Sequence, residues 1–529
     1  MPMNDLNPTP PGFGSQVKRM RWWIPLAILV LAIANLVRLH LSTELDGNFK
    51  AMQTSLTFGV MVLLWLLWFV FFTRLRWRIR VAGLVLVALV GFGATRVLRF
   101  DGAVDGTGKP KIAWKWKAES GRNPGALNIV VSSTTSNAGP SQIEDSGYLG
   151  TNRDGVVDGM KVDREWSAHP PQQLWRQPIG LGWSSFCISG NRAFTQEQRD
   201  QDELVVCYEL TTGHVLWAHT NQVRFSESLS GDGPRATPTL SNGRIYALGG
   251  TGILDCLDAG TGELLWSRNV LKENSIPNLP FGLSTSPLIY DELVVVSGGM
   301  TNGPTLLAYH LKDGSPAWRA GTDKASFSSP VLATLAGKRQ IVSVNATSAT
   351  GHDPATGNVL WNYVWPGEWP KCTQPIILPP DRIFLSASFN AGCMVLQITA
   401  ASDGKLSVAE KWKNRNMKSE FSNIVTREGF AYGLDDGILA CVDLATGERK
   451  WKEGRFGHGH VLLINDLLLI QTETGPVALV EANPACYREL AQIQALNAKT
   501  WNVPAVGGGC LVVRNDLEAV CYKLPVPPP

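Results

Sequence analysis

The sequence predicts an all-β fold, a β-propeller of about eight four-stranded antiparallel blades, preceded by three transmembrane helices. Three observations predict it. Residues 22–99 are very apolar, a short motif recurs from 173 to 525, and tryptophan is abundant, with 19 in 529 residues. A repeat that uses one Trp per unit accounts for much of that abundance.

The repeated motif joins a small residue, a Thr-Gly or Asp-Gly turn and a Trp. Five copies align without gaps: CYELTTGHVLW at 207–217, CLDAGTGELLW at 256–266, AYHLKDGSPAW at 308–318, GHDPATGNVLW at 351–361 and CVDLATGERKW at 441–451. The turn glycines are Gly213, Gly262, Gly314, Gly357 and Gly447, and the matching tryptophans are Trp217, Trp266, Trp318, Trp361 and Trp451. Degenerate copies end at Trp412 and Trp501. With Trp175, these tryptophans are 39 to 52 residues apart.

The motif has the physics of two strands joined by a turn. Alternating or continuous apolar residues precede the turn, and its glycine supplies the positive φ. A period of this length is typical of propeller blades, which bury their faces only against neighbouring blades, so the ring must close. Two unpaired halves predict the closure: QLWRQPIG at 173–180 supplies the outer strand of the blade begun by 501–525. Counting these halves predicts eight blades, with seven and nine left open.

The N-terminal region contains three uncharged runs, at 22–37, 51–73 and 81–95. A membrane span needs about 20 apolar residues, so the first and third runs need flanking arginines that reach the headgroups. Buried core helices are the alternative, which three such runs within one short region disfavour. The predicted boundaries are a disordered cytoplasmic tail at 1–21, three transmembrane helices at 22–99, a linker at 100–147 with short strands at 112–116 and 127–131, and the propeller at 148–525.

Charge predicts the topology of an integral inner-membrane protein. Basic residues precede the first span, and four arginines lie between the second and third, so both regions are expected in the cytoplasm. Three spans then place the propeller on the periplasmic, extracytoplasmic side. If only two helices span, the propeller is cytoplasmic.

Composition and motif searches exclude several function classes. A net charge of +3 is too small to indicate nucleic acid as a partner. Nine cysteines without a CxxC pair argue against a disulfide framework or a zinc ribbon. The repeat instead explains Cys207, Cys256, Cys441 and Cys521, which occupy its small-residue slot. The repeat tryptophans are expected to pack between blades, and Asp258 and Asp443 to bond the turn backbone.

The unit A-x-D-x-x-T-G-x-x-x-W resembles the pyrroloquinoline quinone (PQQ)-type propeller repeat over 173–525, and YLGTNRDGVV at 148–157 resembles the lead-in of membrane-linked members. The resemblance implies one of two kinds of protein. Quinoprotein dehydrogenases bind PQQ and Ca²⁺ and oxidise alcohols or sugars. Proteins similar to the outer-membrane assembly lipoprotein are scaffolds that bind other proteins. Both share the repeat, so the fold does not choose between them.

The residues favour the scaffold over the enzyme. The vicinal Cys-Cys pair of many quinoprotein dehydrogenases is absent, and no compact acidic cluster maps onto a calcium site. NRDGVVD at 152–158 lacks the closing Glu of an EF-hand and is expected to be a turn. We therefore expect a non-catalytic binding domain, with no catalytic residue assigned and no metal site. The alternative is a PQQ- and Ca²⁺-dependent alcohol or sugar dehydrogenase coupled to membrane quinone.

The best candidate site is the channel mouth, on the loops that lead into each innermost strand. Most of these loops carry Ser, Thr, Asn or Gln before a Pro. The structural interpretation is that these polar side chains tie strand ends together by hydrogen bonds. The functional interpretation is a polar ring facing a ligand: Trp183, Arg235, Lys371, Gln374, Asn423, His458, His460, Trp501 and Asn502. Arg235 and Lys371 suit an anionic group, while His458 and His460 lack a visible third metal ligand. The expected partners are the membrane, envelope proteins or a small anionic ligand.

Overall fold

The computed structural model describes residues 21–42, 45–73, 75–116, 127, 146–300 and 303–527. The chain divides into two compact units, residues 1–103 with 107–118, and residues 104–106 with 119–529. Two sequence predictions lie outside the described residues: the cytoplasmic tail, except for Arg21, and the strand at 127–131, except for Leu127.

The N-terminal unit contains the three predicted apolar helices: α1 Trp23–Leu41, α2 Gly47–Leu67, which continues as a π-helical turn at Trp68–Phe72, and α3 Trp77–Val97. Each is long and apolar enough to cross a membrane. α1 and α2 form an antiparallel pair, in which Asn35 donates to Thr57 at 2.8 Å and the Trp65 indole donates to the Pro25 carbonyl at 3.2 Å. A hairpin of β1 Leu98–Ala103 and β2 Pro110–Trp114 follows, so the predicted strand at 112–116 begins two residues earlier.

The second unit is an eight-bladed propeller of four-stranded antiparallel blades, as predicted. From the innermost strand outward, blade 1 is β5 Cys187–Ser189, β6 Arg192–Arg199, β7 Asp202–Glu209 and β8 Val215–Asn221; blade 2 is β9 Thr239–Ser241, β10 Arg244–Leu248, β11 Ile253–Asp258 and β12 Leu264–Asn269; blade 3, after the short helix α4 Val270–Asn274, is β13 Leu288–Tyr290, β14 Leu293–Ser297, β15 Leu306–His310 and β16 Pro316–Ala320; blade 4 is β17 Val331–Leu335, β18 Lys338–Val344, β19 Ser348–His352 and β20 Val359–Val364. Blade 5 is β21 Ile376–Leu378, β22 Arg382–Ala387, β23 Gly392–Ala400 and β24 Leu406–Asn414; blade 6 is β25 Ile424–Arg427, β26 Phe430–Asp435, β27 Ile438–Asp443 and β28 Arg449–Arg455; blade 7 is β29 His460–Ile464, β30 Leu467–Gln471, β31 Val477–Glu481 and β32 Glu489–Ile493; blade 8 is β33 Ala505–Gly507, β34 Cys510–Arg514, β35 Glu518–Lys523 and β4 Gln172–Pro178.

The ring closes as the two halves of the motif predict. β4 pairs antiparallel with β35, and Trp175 lies opposite Cys521. β4, the first long strand of the propeller in the sequence, therefore completes the last blade. This pairing gives β35 an outer neighbour and joins the start of the ring to its end.

The motif residues pack neighbouring blades against each other. The small residue lies directly across the ladder from the Trp, as in Cys207–Trp217, Cys256–Trp266 and Cys441–Trp451. Six of the indoles donate to a backbone carbonyl in the next blade: Trp175 to Leu210 (2.8 Å), Trp217 to Ala259 (3.2 Å), Trp266 to Leu311 (2.9 Å), Trp318 to Pro354 (3.2 Å), Trp412 to Leu444 (3.1 Å) and Trp451 to Asn483 (2.9 Å). The next turn glycine lies against the same ring, so Gly262, at φ 76°, has no room for a Cβ above Trp217. The four motif cysteines are free and buried.

One repeat assignment is wrong. Trp501 does not end a degenerate motif copy, because it lies outside any strand in the loop between blades 7 and 8. Ala491 holds the corresponding place in blade 7, opposite Leu479 and beside the bulge. The spacing of Trp501 from Trp451 matches the repeat period only by coincidence.

The lead-in to the propeller runs through the ring. Ser146 bridges to Leu240 of blade 2, and β3 Val156–Val157 pairs in parallel with β29 of blade 7. Between them Leu149 packs on Leu462 of blade 7 and on Val503 in the loop before blade 8. In a ring of eight, blades 2 and 7 are three positions apart, and the lead-in contacts the innermost strand of each, so these residues lie inside the ring.

Candidate functional site

The predicted channel-mouth loops are correctly positioned, since each of the eight precedes the innermost strand of a blade. The candidate side chains within them divide by exposure. Trp183, Arg235 and Trp501 are half-buried, whereas Lys371, Gln374, Asn423, His458, His460 and Asn502 are buried. Most of the proposed polar ring therefore faces protein atoms.

Arg153 of the lead-in is the central feature of the channel. Its guanidinium donates to the carbonyls of Pro287 (2.8 Å) and Ser286 (3.0 Å) in the loop before blade 3. Its own carbonyl accepts a hydrogen bond from the Gln374 amide in the loop before blade 5. Burial lowers the pKa of Arg153 to about 10, and it remains a cation at neutral pH. Arg153 thus fixes the lead-in inside the ring at the level of the mouth loops.

Gly155 shows how closely the lead-in fits. A Cβ there would lie 3.1 Å from Asn423 Nδ2 and 3.1 Å from Val425 Cγ1 in blade 6. Its φ of 74° also favours glycine. Asp154 accepts from the Val156 amide at 3.0 Å, so the segment NRDGVVD forms a turn, as predicted, rather than a calcium loop.

His458 lies between two carboxylates, a contact that the sequence did not reveal. Its Nε2 is 2.9 Å from Glu420 and its Nδ1 is 3.4 Å from Glu473. Burial alone would lower the pKa of His458, but the hydrogen bonds and charges of the two carboxylates raise it to about 10. Burial likewise opposes ionisation of Glu473, but hydrogen bonds from His458 and Trp501 lower its pKa to about 2. The group is a buried ionic network between blades 6, 7 and 8.

His460 has a different environment, although it is only two residues away. Its Nδ1 is 3.3 Å from Asn423 Oδ1 and its Nε2 is 2.9 Å from the Trp501 carbonyl. Burial lowers the pKa of His460 to about 4, which leaves the ring neutral. The two histidines therefore do not form a metal-binding pair.

An aromatic arc lines the half-buried part of the mouth; we use this name for Trp183, Trp501 and Phe421. The ring centroids of Trp183 and Trp501 are 5.0 Å apart, and those of Trp501 and Phe421 are 5.2 Å apart. Lys499 Nζ lies 4.0 Å from the Trp501 centroid, a cation–π contact. Because the Trp501 indole also donates to Glu473 at 2.8 Å, the arc is anchored to the ionic network below it.

Arg235 and Lys371, the two candidate anion receptors, direct most of their donors to neighbouring protein groups, and two of the three Lys371 donors are engaged in this way. Arg235 donates to the Gly231 carbonyl (2.7 Å) and the Ser230 hydroxyl (2.8 Å), and it lies 4.6 Å from the Phe225 centroid. Lys371 Nζ donates to the carbonyls of Gly367 (2.6 Å) and Ala346. Asn502 similarly donates to Ser184 O at 2.8 Å, so the interpretation that polar residues tie strand ends together describes much of this surface.

The described residues offer no cluster of metal ligands. In the described part of the chain, no three His, Cys, Asp or Glu side chains are placed to hold a metal ion. Inside the ring, the mouth loops before blades 3 and 5 instead contact the buried Arg153 cation.

Sequence reasoning missed Arg153, Glu420, Phe421, Glu473 and Lys499. Phe421 and Lys499 lie within or one residue from the predicted mouth loops, so the loop alignment could have found them. Glu473 lies in the turn between β30 and β31, and Arg153 lies before the first blade. No local pattern marks either as a channel residue.

The comparisons agree with the fold. A family model described as outer membrane protein assembly factor BamB matches residues 172–266 and 201–453. Among solved structures, quinohemoprotein alcohol dehydrogenase from Comamonas testosteroni is similar with a TM-score of 0.53 at 11% identity, covering 72% of this chain and 80% of that chain. BamB from Moraxella catarrhalis is similar with a TM-score of 0.47 at 13% identity, covering 67% and 98%. No curated protein matches the chain. Since the family model spans more than half of the sequence, the chain belongs to the PQQ-type propeller family described as outer membrane protein assembly factor BamB.

Proposed function

We propose that the chain is a membrane-anchored, non-catalytic propeller that binds other envelope proteins on the extracytoplasmic side. The observation that carries this proposal is the lead-in that lies inside the ring. Arg153 lies inside the ring and bonds the loops before blades 3 and 5, and the residues that follow it pair with blade 7. A lead-in held in this place would obstruct the approach of a cofactor and a substrate to the centre of the ring.

The family supports the same role. Its description names a protein assembly factor, which favours contact with other proteins over redox chemistry. The aromatic arc is the surface that we assign to such contact, because Trp and other aromatic residues dominate the energetics of protein interfaces. Lys499 beside it favours a partner segment that carries a carboxylate.

The extracytoplasmic location rests on charge and on the number of helices. Three helices can span, and the basic residues lie before the first helix and between the second and third. An alkaline phosphatase fusion after residue 110 tests it. Activity of this fusion would agree with the proposal. If this fusion is inactive while a second fusion, made after Asp46, is active, the proposed location is overturned.

The absence of catalysis is tested by adding PQQ and Ca²⁺ to the purified full chain in detergent. We expect no cofactor absorbance to copurify and no dye-linked oxidation of alcohols or sugars, with an authentic quinoprotein dehydrogenase as the positive control. Cofactor-dependent turnover would establish the dehydrogenase alternative.

The contact surface is tested by photocrosslinking in cells. A photoreactive residue at Lys499 is expected to give a discrete adduct with an envelope protein, whereas one at Lys405, on the β23–β24 hairpin, is not. Adducts at Lys405 alone would place the contact surface elsewhere.

A further inference from the structure

A cavity of about 280 Å³ lies in blade 5. It is formed by the loop after β20 and the turn between β22 and β23. Its walls include Trp365, Trp369, Lys371, Phe389 and Lys413. We call it the blade-5 cavity; its volume is near the lower end of the range for small-molecule sites, about 300–1,000 Å³.

One wall of the blade-5 cavity is a pair of stacked rings. The Trp369 and Phe389 centroids are 4.9 Å apart and the rings are 5° from parallel. Trp369 is 42% exposed, so this stack is not part of a closed core. A flat apolar surface of this kind suits a planar ring.

The turn that presents Phe389 adopts an unfavourable conformation. Phe389 has φ 54° and Asn390 has φ 61°. Asn tolerates the left-handed region, but a bulky residue such as Phe is an outlier there. Such backbone conformations are concentrated at ligand-binding and active sites, where they hold a side chain in the position that binding requires.

The charge of the cavity is positive. Lys371 and Lys413 line it, and none of the described lining residues is Asp or Glu. Lys371 Nζ uses two donors on the carbonyls of Gly367 and Ala346, and an ammonium group has three. Burial lowers the pKa of Lys371 to about 8, so an anion in the cavity would favour its charged form.

The neighbouring carboxylates already have partners. Asp323 accepts from the Thr347 amide at 2.9 Å and from the Ser348 hydroxyl at 2.8 Å. Glu368 forms an ion pair with Lys324 at 2.8 Å and is itself largely exposed. The positive charge of Lys371 is therefore only partly balanced from outside the cavity.

We propose that the blade-5 cavity binds the carboxylate of a single-ring aromatic acid, with the ring on the Trp369–Phe389 stack and the carboxylate facing Lys371 and Lys413. Two positive side chains select the anion, the stacked rings select a planar body, and the volume limits it to one ring. This site is separate from the aromatic arc and does not depend on the proposed scaffold role. The acid is either a free small molecule or the C-terminal residue of a peptide.

The test uses 4-fluorophenylacetate and the full chain in detergent, observed by fluorine NMR of the ligand. The neutral amide, 4-fluorophenylacetamide, has the same shape and no charge. We expect saturable binding of the acid and about tenfold weaker binding of the amide, because the amide cannot form charge-assisted hydrogen bonds with lysine. Empty micelles give the background. Undetectable binding of the acid, or equal binding of acid and amide, would overturn the proposal.

A second arm distinguishes the sources of the acid. A tripeptide ending in a free Phe carboxylate and the same peptide ending in an amide compete with 4-fluorophenylacetate. Competition by the free-acid peptide alone indicates a protein C-terminus. Binding of 4-fluorophenylacetate that neither peptide displaces indicates a free small acid.

Variants locate the binding site. Trp369→Ala and Lys413→Met change exposed side chains and are each expected to weaken binding about tenfold, whereas Lys405→Met on the distant β23–β24 hairpin leaves it unchanged. Phe389→Gly removes the ring and relieves the positive φ, so it should weaken binding without lowering the melting temperature. Unchanged affinity in both Trp369→Ala and Lys413→Met would show that the acid binds elsewhere.

Discussion

Arg514 joins the last blade to the first, and its replacement tests the account of ring closure. It lies at the end of β34, where it is 1% exposed. Its guanidinium donates to the carbonyls of Gln196 (2.9 Å) and Gly180 (2.7 Å) and to the Thr195 hydroxyl (2.9 Å). All three acceptors belong to blade 1 or to the segment that enters it. Arg514 is thus a polar link across the seam between blades 8 and 1.

The substitution Arg514→Met keeps the apolar stem and removes every donor. The carbonyls of Gln196 and Gly180 then lose these hydrogen bonds in a buried site. A buried polar group left without a partner costs about 1–3 kcal/mol, so we expect a loss of about 3–5 kcal/mol in the free energy of unfolding. For a domain as large as the propeller, 1 kcal/mol corresponds to about 1–2 °C, and the melting temperature should fall by about 5 °C.

The assay is thermal and urea unfolding of the full chain in detergent, followed by tryptophan fluorescence. Arg244→Met is the matched control, because Arg244 also bridges two blades but donates to a single carbonyl, that of Leu311, at 3.0 Å. It should cost about 1 kcal/mol. Equal losses in the two variants would show that the seam needs no special link, and a melting temperature of Arg514→Met within about 1 °C of the unmodified chain would refute the reasoning.

Three further predictions concern two buried sites and the exposed Cys486. A Cβ at Gly351 would overlap Trp361 Nε1, so Gly351→Ala should lower the free energy of unfolding by about 1–3 kcal/mol in urea titrations; an unchanged midpoint would contradict the packing account. Burial raises the pKa of Glu203 to about 7, above its unfolded value of about 4.3, so the native state holds a proton that the unfolded chain releases. Stability from this group is therefore complete below about pH 4 and is lost as pH rises to about 7, and Glu203→Gln should remove about 3 kcal/mol of that decline, measured by unfolding at pH 4 and pH 8. Of nine free cysteines only Cys486 is exposed, so maleimide should label one thiol per folded chain by mass spectrometry and none in Cys486→Ser; rapid labelling of a second thiol would refute this.

The architecture could be predicted because each blade repeats the same local constraints. Short segments of sequence contain all the signals that were needed: the small residue opposite Trp, the turn glycine that packs on the preceding Trp, and the unpaired strand at 173–180. Even the exception has a physical reason. Trp501 falls at the right spacing, but period alone does not distinguish a strand residue from a loop residue.

The site could be predicted only in part, because its contacts join distant residues. Arg153 meets the Ser286 and Pro287 carbonyls only after the ring has formed. The mouth loops were correctly located, yet position in a loop does not tell whether a side chain such as Lys371 faces solvent or a backbone carbonyl. That outcome depends on the conformation of the neighbouring loop, for which the sequence carries no periodic signal.

The lead-in inside the ring has a consequence for how this propeller can act. The ring supplies rigid walls, but its centre is held by Arg153 and by the close approach of Gly155 to Asn423 and Val425. Removing this lead-in would expose backbone carbonyls that Arg153 now satisfies, so the channel cannot open without a substantial cost in free energy. The two binding roles that we propose, at the aromatic arc and at the blade-5 cavity, need no such opening, because both surfaces present rings and lysines without disturbing the lead-in. The proposed binding of a partner at the surface is therefore compatible with a fixed lead-in.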